Sequence, residues 1–156
     1  MSGKLYICPT PIGNLEDMTY RTIRILNEVD LIAAEDTRHS IKLLNHFEIS
    51  KPLTSYHEHN KDSKGGYLIN KLLEGENIAL IGDAGMPGIS DPGEDIIKQA
   101  IEHNIDIEVL PGATASITAL VGSGLETAKF AFEGFLDRDK RKKYSASYSG
   151  YKHVWD

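Results

Sequence analysis

The sequence predicts an α/β fold, a five-stranded parallel sheet with helices on both faces. Three observations predict it. Five short apolar runs are each followed by a segment with helical period, the order expected of βα units. The runs are almost continuously apolar rather than alternating, as strands buried on both faces require. The longest loop, rich in glycine and proline, joins the fourth run to a helix, at the strand end where open α/β sheets bind ligands.

Lys4 to Pro9 reads as the first strand, and Leu15, Met18, Ile23 and Leu26 recur as on one face of a following helix. Val29 to Ala34 is the second strand. It ends in Glu35-Asp36-Thr37-Arg38, from which a helix through Leu43, Leu44 and Phe47 starts. Lys51 to Tyr56 is a short third strand, and Leu68, Ile69, Leu72 and Leu73 mark a helix that Gly75 stops. Asn77 to Ile81 is the fourth strand. After it, Gly82, Gly85, Gly88 and Gly93 permit close backbone approach to a ligand, while Pro87 and Pro92 limit the shapes the empty loop samples. Asp91, Pro92 and Glu94 predict a helix entry with Asp91 as the N-cap, and Ile96, Ile97, Ala100 and Ile101 form that helix's inner face. Ile105 to Leu110 is the fifth strand, Pro111-Gly112 turns the chain, and Ala113 to Val121 is a small-residue helix.

Composition narrows the function classes. A chain of 156 residues with 40% hydrophobic content can bury a proper core. No apolar run reaches the ~20 residues that span a bilayer, and the start lacks a secretory segment, so a cytoplasmic protein without membrane contact is expected. Cys8 is the only cysteine, which fits a reducing compartment. A net charge of −6 argues against a broad phosphate-binding surface. The local exception is Arg138 to Lys143, read first as a solvated linker.

No GxGxxG, GxxxxGK[ST] or GxSxG motif is present, so a dinucleotide site, a P-loop and a nucleophile elbow all lack support. His57-Glu58-His59 could offer two imidazoles, but no third ligand is evident and no metal is expected. In a parallel sheet, four segments meet on one edge: Thr10 to Asn14, Glu35 to Arg38, the glycine-rich loop, and Pro111 to Ser116. They supply backbone donors and several carboxylates but only Arg38 as a fixed cation, which suits a partly cationic ligand better than a polyphosphate. Glu35, Asp36 and Arg38 are candidates for accepting a proton or orienting a substrate. The alternative for Asp36 is helix capping with a surface ion pair to Arg38.

The segments Pro9 to Asp17, Ala34 to Arg38, Asp83 to Gly93 and Phe130 to Leu136 resemble the tetrapyrrole methylase superfamily, and within it the branch acting on 16S rRNA. The resemblance implies the N-terminal domain of that fold and S-adenosylmethionine as methyl donor. It implies a cytidine ribose 2′-hydroxyl of 16S rRNA, or the small ribosomal subunit, as acceptor, and a homodimer. It places Pro11, Gly82, Asp83, Ala84, Ile89, Ser90, Thr114 and Ala115 against the cofactor and Gly13 and Asn14 in the substrate cleft. Met86 stands where threonine is more usual. The family pattern is followed to Leu136, so the domain division expected is 1–120 for the first domain, 121–143 for the start of an interdomain segment and 144–156 for an atypical tail with the second domain missing. Such a piece is expected to be inactive alone. The alternatives are a corrinoid-precursor or protein-directed methylase of the same superfamily, or a non-catalytic cofactor-binding fragment.

Overall fold

The structure, a computed structural model, describes residues 1–132 and Gly134. The basic run from Arg138 and the tail from Tyr144 lie outside the described residues. The chain divides into two compact units, Met1–Thr114 and Ala115–Asp156.

In the first unit the strands are β1 (Lys4–Ile7), β2 (Leu31–Ala34), β3 (Leu53–Ser55), β4 (Ile78–Ile81) and β5 (Asp106–Val109). They form one sheet in the order β3-β2-β4-β1-β5, and every pairing is parallel. The helices are α1 (Tyr20–Glu28), α2 (Thr37–His46), α3 (Lys61–Leu73) and α4 (Gly93–Glu102). The second unit contributes α5 (Ala115–Gly122) among the described residues.

The period of two along each strand sorts the core into two layers. Leu5 and Ile7 of β1, Leu31 and Ala33 of β2, and Ile78 and Leu80 of β4 pack with Leu68 and Leu72 of α3 and Ile96 and Ala100 of α4. The intervening residues Cys8, Ile32, Ala34, Ala79 and Ile81 face Ile25 and Leu26 of α1 and Leu44 of α2. Helices thus cover both faces, as the apolar strands predict. Leu26 is fully buried in the second layer, and Leu26→Ala should lower the stability of the fold by about 2–5 kcal/mol, read as a shift of the urea midpoint without a change of slope.

Three differences from the sequence reading have local causes. The segment after β1 is broken into a 3-10 turn at Leu15–Asp17 and α1, because Thr19 lies in extended backbone and its side chain caps α1 by accepting from Thr22 N–H. The fourth helix begins one residue later than expected, at Gly93, and Asp91 is not its cap residue. The fifth strand is an edge strand in which Asp106 and Val109 are exposed, so the sheet is not covered on both faces there. Its Glu108 is instead paired with Lys4 (3.2 Å) and with Arg21.

Candidate functional site

β1 and β4 adjoin at the centre of the sheet, and their outgoing chains diverge: α1 follows β1 on one face and α4 follows β4 on the other. A crevice at the carboxyl edge of the strands is expected at such a point. The loops around it are tied to one another. Thr10 and Gly85 exchange two backbone hydrogen bonds, each 3.0 Å, and Thr10 Oγ1 donates to the carbonyl of Gly82 at 3.3 Å. Gly85 has φ +79°, and a Cβ there would stand 3.2 Å from Ile12 Cγ2. Gly112, in the loop after β5, lies so close to Pro9 that a Cβ would come within 2.3 Å of its ring.

The far end of the glycine-rich loop is closed by Asp91, whose Oδ1 accepts from Gly88 N–H (2.7 Å) and Gly93 N–H (2.8 Å). Asp91 thus precedes the cap position, which Pro92 holds, while its carboxylate still takes the N–H of the first helical residue. Ser90 beside it holds φ +60°, a conformation non-glycine residues rarely adopt and one that clusters at functional loops. Ile89 is exposed. Met86 is half-buried and packs against the layer of α3 and α4, so its difference from threonine leaves the outer side of the loop unchanged.

The segment after β2 joins the same cluster. Asp36 N–H donates to Asp83 Oδ1 at 3.1 Å. Asp36 also caps α2 by accepting from Arg38 N–H (2.9 Å), and it receives Arg38 Nε (3.2 Å) and Nη2 (2.9 Å). The Arg38 hydrogen bonds hold the Asp36 carboxyl at about 2, so Asp36 is committed to capping and pairing and is a poor proton acceptor. Of the three candidates, Glu35 differs in kind. Burial raises its proton affinity first, and the nearby charges of Asp83, Asp91 and Asp36 raise it further. Asp91 is raised too, by burial, against the opposing effect of the Gly88 and Gly93 N–H groups.

Glu35 and Asp91 converge on Gly82. A Cβ on Gly82 would lie 3.8 Å from Asp91 Oδ2 and 3.9 Å from Glu35 Oε2. Beneath the loop, Glu35, Tyr56, Gly82 and Asp91 line a cavity of about 10 Å³, room for roughly one water. A nucleoside does not fit that cavity, and the side of the loop open to a larger ligand is the exposed one, with Asp83, Ala84, Ile89 and Ser90. That surface offers carboxylates and backbone groups, a donor set that fits a sulfonium and an ammonium and repels a polyphosphate.

The remaining predicted residues fall as follows. Pro11 and Gly13 lie in the first loop, with Gly13 at φ +138°. The Asn14 side chain is used in capping the 3-10 turn, accepting from Glu16 N–H at 3.1 Å. Ala84 lies between Asp83 and the bridged Gly85. Thr114 is the last residue of the first unit and Ala115 opens α5 in the second.

Sequence reasoning missed a fifth segment on this edge. β3 pairs with β2, and Tyr56 N–H continues the ladder to the carbonyl of Ala34 at 2.8 Å, which brings Tyr56 beneath Gly82 with 1% of its surface exposed. The available signal was the short strand after Pro52; nothing in one sequence marks Tyr56 as buried. The His57 backbone N–H donates to Asn60 Oδ1 at 2.8 Å, so His57-Glu58-His59 builds a turn. Among the described residues no group of three or more metal-capable side chains occurs. Nor is any helix among them long and apolar enough to cross a membrane. Cys8 is buried, and burial pushes its thiol up to about 12, which makes it chemically inert.

A family model described as Tetrapyrrole (Corrin/Porphyrin) Methylases matches residues 4–151. The chain belongs to the tetrapyrrole methylase family. Similar curated proteins include the ribosomal RNA small subunit methyltransferase I of Halalkalibacterium halodurans, 56% identical over 92% of this chain and 50% of that protein. The protein of the same name from Bacillus subtilis is 55% identical over 90% of this chain and 48% of its own length. The chain thus spans about half the length of the curated relatives it matches. Among solved structures, the uroporphyrin-III-C-methyltransferase of Thermus thermophilus superposes with a TM-score of 0.60 at 23% identity, covering 81% of this chain and 55% of that one. A diphthine synthase superposes at 0.65 with 17% identity, covering 83% and 52%. These two likenesses establish a shared fold.

Proposed function

We propose that this tetrapyrrole methylase chain carries the donor-binding half of a ribosomal RNA small subunit methyltransferase. In this reading S-adenosylmethionine lies on the outer side of the glycine-rich loop and the acceptor is a cytidine ribose 2′-hydroxyl of 16S rRNA. The observation that carries the reading is the 56% identity over 92% of the chain, with a family match from 4 to 151 that takes in every loop of the tied edge.

Bound there, S-adenosylmethionine supplies a methyl group already activated by its sulfonium. What the chain adds is placement and a proton acceptor. The Thr10–Gly85 bridge and the Asp91 clasp fix the loop before a ligand arrives, so little ordering remains to be done on binding. The carboxylates of Glu35, Asp83 and Asp91 favour a donor that carries a sulfonium over a product that has lost that charge, which assists exchange after each turnover. Methyl transfer from the sulfonium to a hydroxyl oxygen would leave a neutral thioether and release the hydroxyl proton, which a carboxylate of this chain would accept. We assign that role to Glu35, which adjoins Gly82 and whose proton affinity is raised by burial and by the neighbouring carboxylates. Homodimer formation and a metal-free reaction belong to the same proposal.

Calorimetric titration of the chain with S-adenosylmethionine should show saturable binding that chelator treatment leaves unchanged. Labelled methyl should then pass to small subunits lacking the modification when the protein is continued to the length of its relatives, with the label mapping to one ribose. The 156-residue chain alone should transfer far less. Label on a corrin precursor or on a protein in place of rRNA would move the reading to another branch of the family, and absence of donor binding would end it.

A further inference from the structure

We propose that the outward face of α2 is a docking surface for the phosphate backbone of RNA, leading away from the site. The inference rests on the rRNA reading above and adds to it where the nucleic acid lies.

α2 runs Thr37–His46, and its turned-in residues are Ser40 and Leu44. Arg38, Lys42 and His46 follow one another at intervals of four, which puts them in a single row on the opposite side of the helix. All three are exposed, and the Arg38 side chain is 90% exposed. His39, Ile41 and Asn45 flank the row, all exposed, and Ile41 shows 48% of its surface. The helix contains no acidic residue. In that it differs from α1, α3 and α4, which carry Glu28, Asp62 and the trio Glu94, Asp95 and Glu102. A helix face that carries Arg38 and Lys42 and no acid is, on a chain of net charge −6, a local exception to the field of the whole molecule.

Position joins charge. The row begins at the capping residue Asp36, whose N–H is bonded to Asp83 of the glycine-rich loop, so its first member stands at the site and its last about 12 Å further along the helix axis. Successive members rise by about 6 Å, a spacing that neighbouring phosphates of an RNA strand can follow. Arg38 is half spent on Asp36, with Nη2 at 2.9 Å from Oδ2, which leaves Lys42 as the row's full cation. Ile41 and Asn45 between them offer an apolar surface and an amide for sugar or base edges, the usual company of phosphate contacts. The carboxylates at the crevice repel phosphates, and a basic row beginning just outside lets a strand pass with one ribose turned inward.

The test is fluorescence anisotropy with a labelled RNA hairpin of the small-subunit target region, titrated with the protein over a range of salt. Lys42→Ala should weaken binding several-fold and lower the slope of log K against log salt by about 1, the loss of one phosphate contact. Lys98→Ala removes the same charge from α4, on the other face of the sheet and paired with Glu94, and should change neither quantity. Circular dichroism and the affinity for S-adenosylmethionine should be unchanged in both variants. Equal weakening by the two variants, unchanged binding by Lys42→Ala, or no RNA binding by the parent at low salt would each overturn the assignment of α2. If Lys42→Ala weakens the hairpin but no methyl reaches RNA from the protein continued to the length of its relatives, the docking face stands and the proposed reaction falls. If methyl reaches RNA while Lys42→Ala binds it normally, the reverse holds.

Discussion

Gly85→Val should abolish measurable binding of S-adenosylmethionine while the far-ultraviolet dichroism of the chain stays within a few per cent of the parent's. Two effects add. Valine is strongly disfavoured at φ +79°, which costs about 1–3 kcal/mol where the surroundings hold it. Its Cβ would also meet Ile12 Cγ2 at 3.2 Å, so relief of either strain moves the backbone away from Thr10 and breaks the two 3.0 Å bonds of the bridge. Affinity falls to the extent that the binding conformation of the loop is depopulated, and a penalty of ~2.7 kcal/mol on that conformation corresponds to a 100-fold weaker complex. Gly82→Ala separates fold from ligand. A Cβ there would sit in ordinary contact with Glu35 and Asp91, so the chain should fold normally and any loss of affinity must come from the ligand side. Calorimetric titration of both variants is decisive, and a Gly85→Val chain that binds like the parent would refute the placement of the donor on this loop.

The fold was legible because strand burial is written in composition. Residues 78–81 and 31–34 are apolar throughout, which only a strand covered on both faces tolerates, and both proved buried at every position. The fifth strand was legible as a strand but not as an edge, since Ile105 to Leu110 contains two acids that a single sequence cannot assign to solvent or to partners; Glu108 found Lys4 and Arg21. Loops were readable where chemistry restricts them. Gly85 and Gly88 do occupy positive φ, as their placement in a binding turn suggests, whereas the positive φ of Ser90 has no sequence signature. Roles within the cluster were the least legible. Asp36 and Glu35 are neighbours in sequence and identical in charge. The capping of α2 by Asp36 and its ion pair with Arg38 were readable as an alternative, because both partners lie in one segment, whereas the raised proton affinity of Glu35 comes from burial and from Asp83 and Asp91, more than forty residues away. The burial of Tyr56 depends likewise on β3 finding its place beside β2.

That divergence between two adjacent carboxylates yields the second large effect. Glu35→Gln, placed in a protein continued to the length of its relatives, should lower methyl transfer by about 10²–10⁴-fold, the loss expected when a general base is removed, and well beyond the drop in donor affinity from neutralising one of three carboxylates at the loop. Asp36→Asn should leave turnover nearly intact, because Asp36 is already held at about 2 by Arg38 and has little basicity to lose. The same substitution at Glu35 should raise the melting temperature of the 156-residue chain at neutral pH. Burial and neighbouring negative charge raise the proton affinity of Glu35 in the fold above its value in the unfolded chain, so the folded state binds more protons. The stabilising contribution is complete below the unfolded carboxylate range and is lost as pH rises through the folded value. At neutral pH the ionised side chain therefore weakens the fold, and glutamine, which cannot ionise, removes that cost. The gain in melting temperature should shrink to nothing as the buffer is made acid. A site that sacrifices stability to keep a basic carboxylate beside a binding loop behaves as a reaction centre does. A Glu35→Gln protein that keeps full turnover, or that melts lower than the parent at neutral pH, would assign Glu35 a purely structural part and leave the hydroxyl proton to another acceptor.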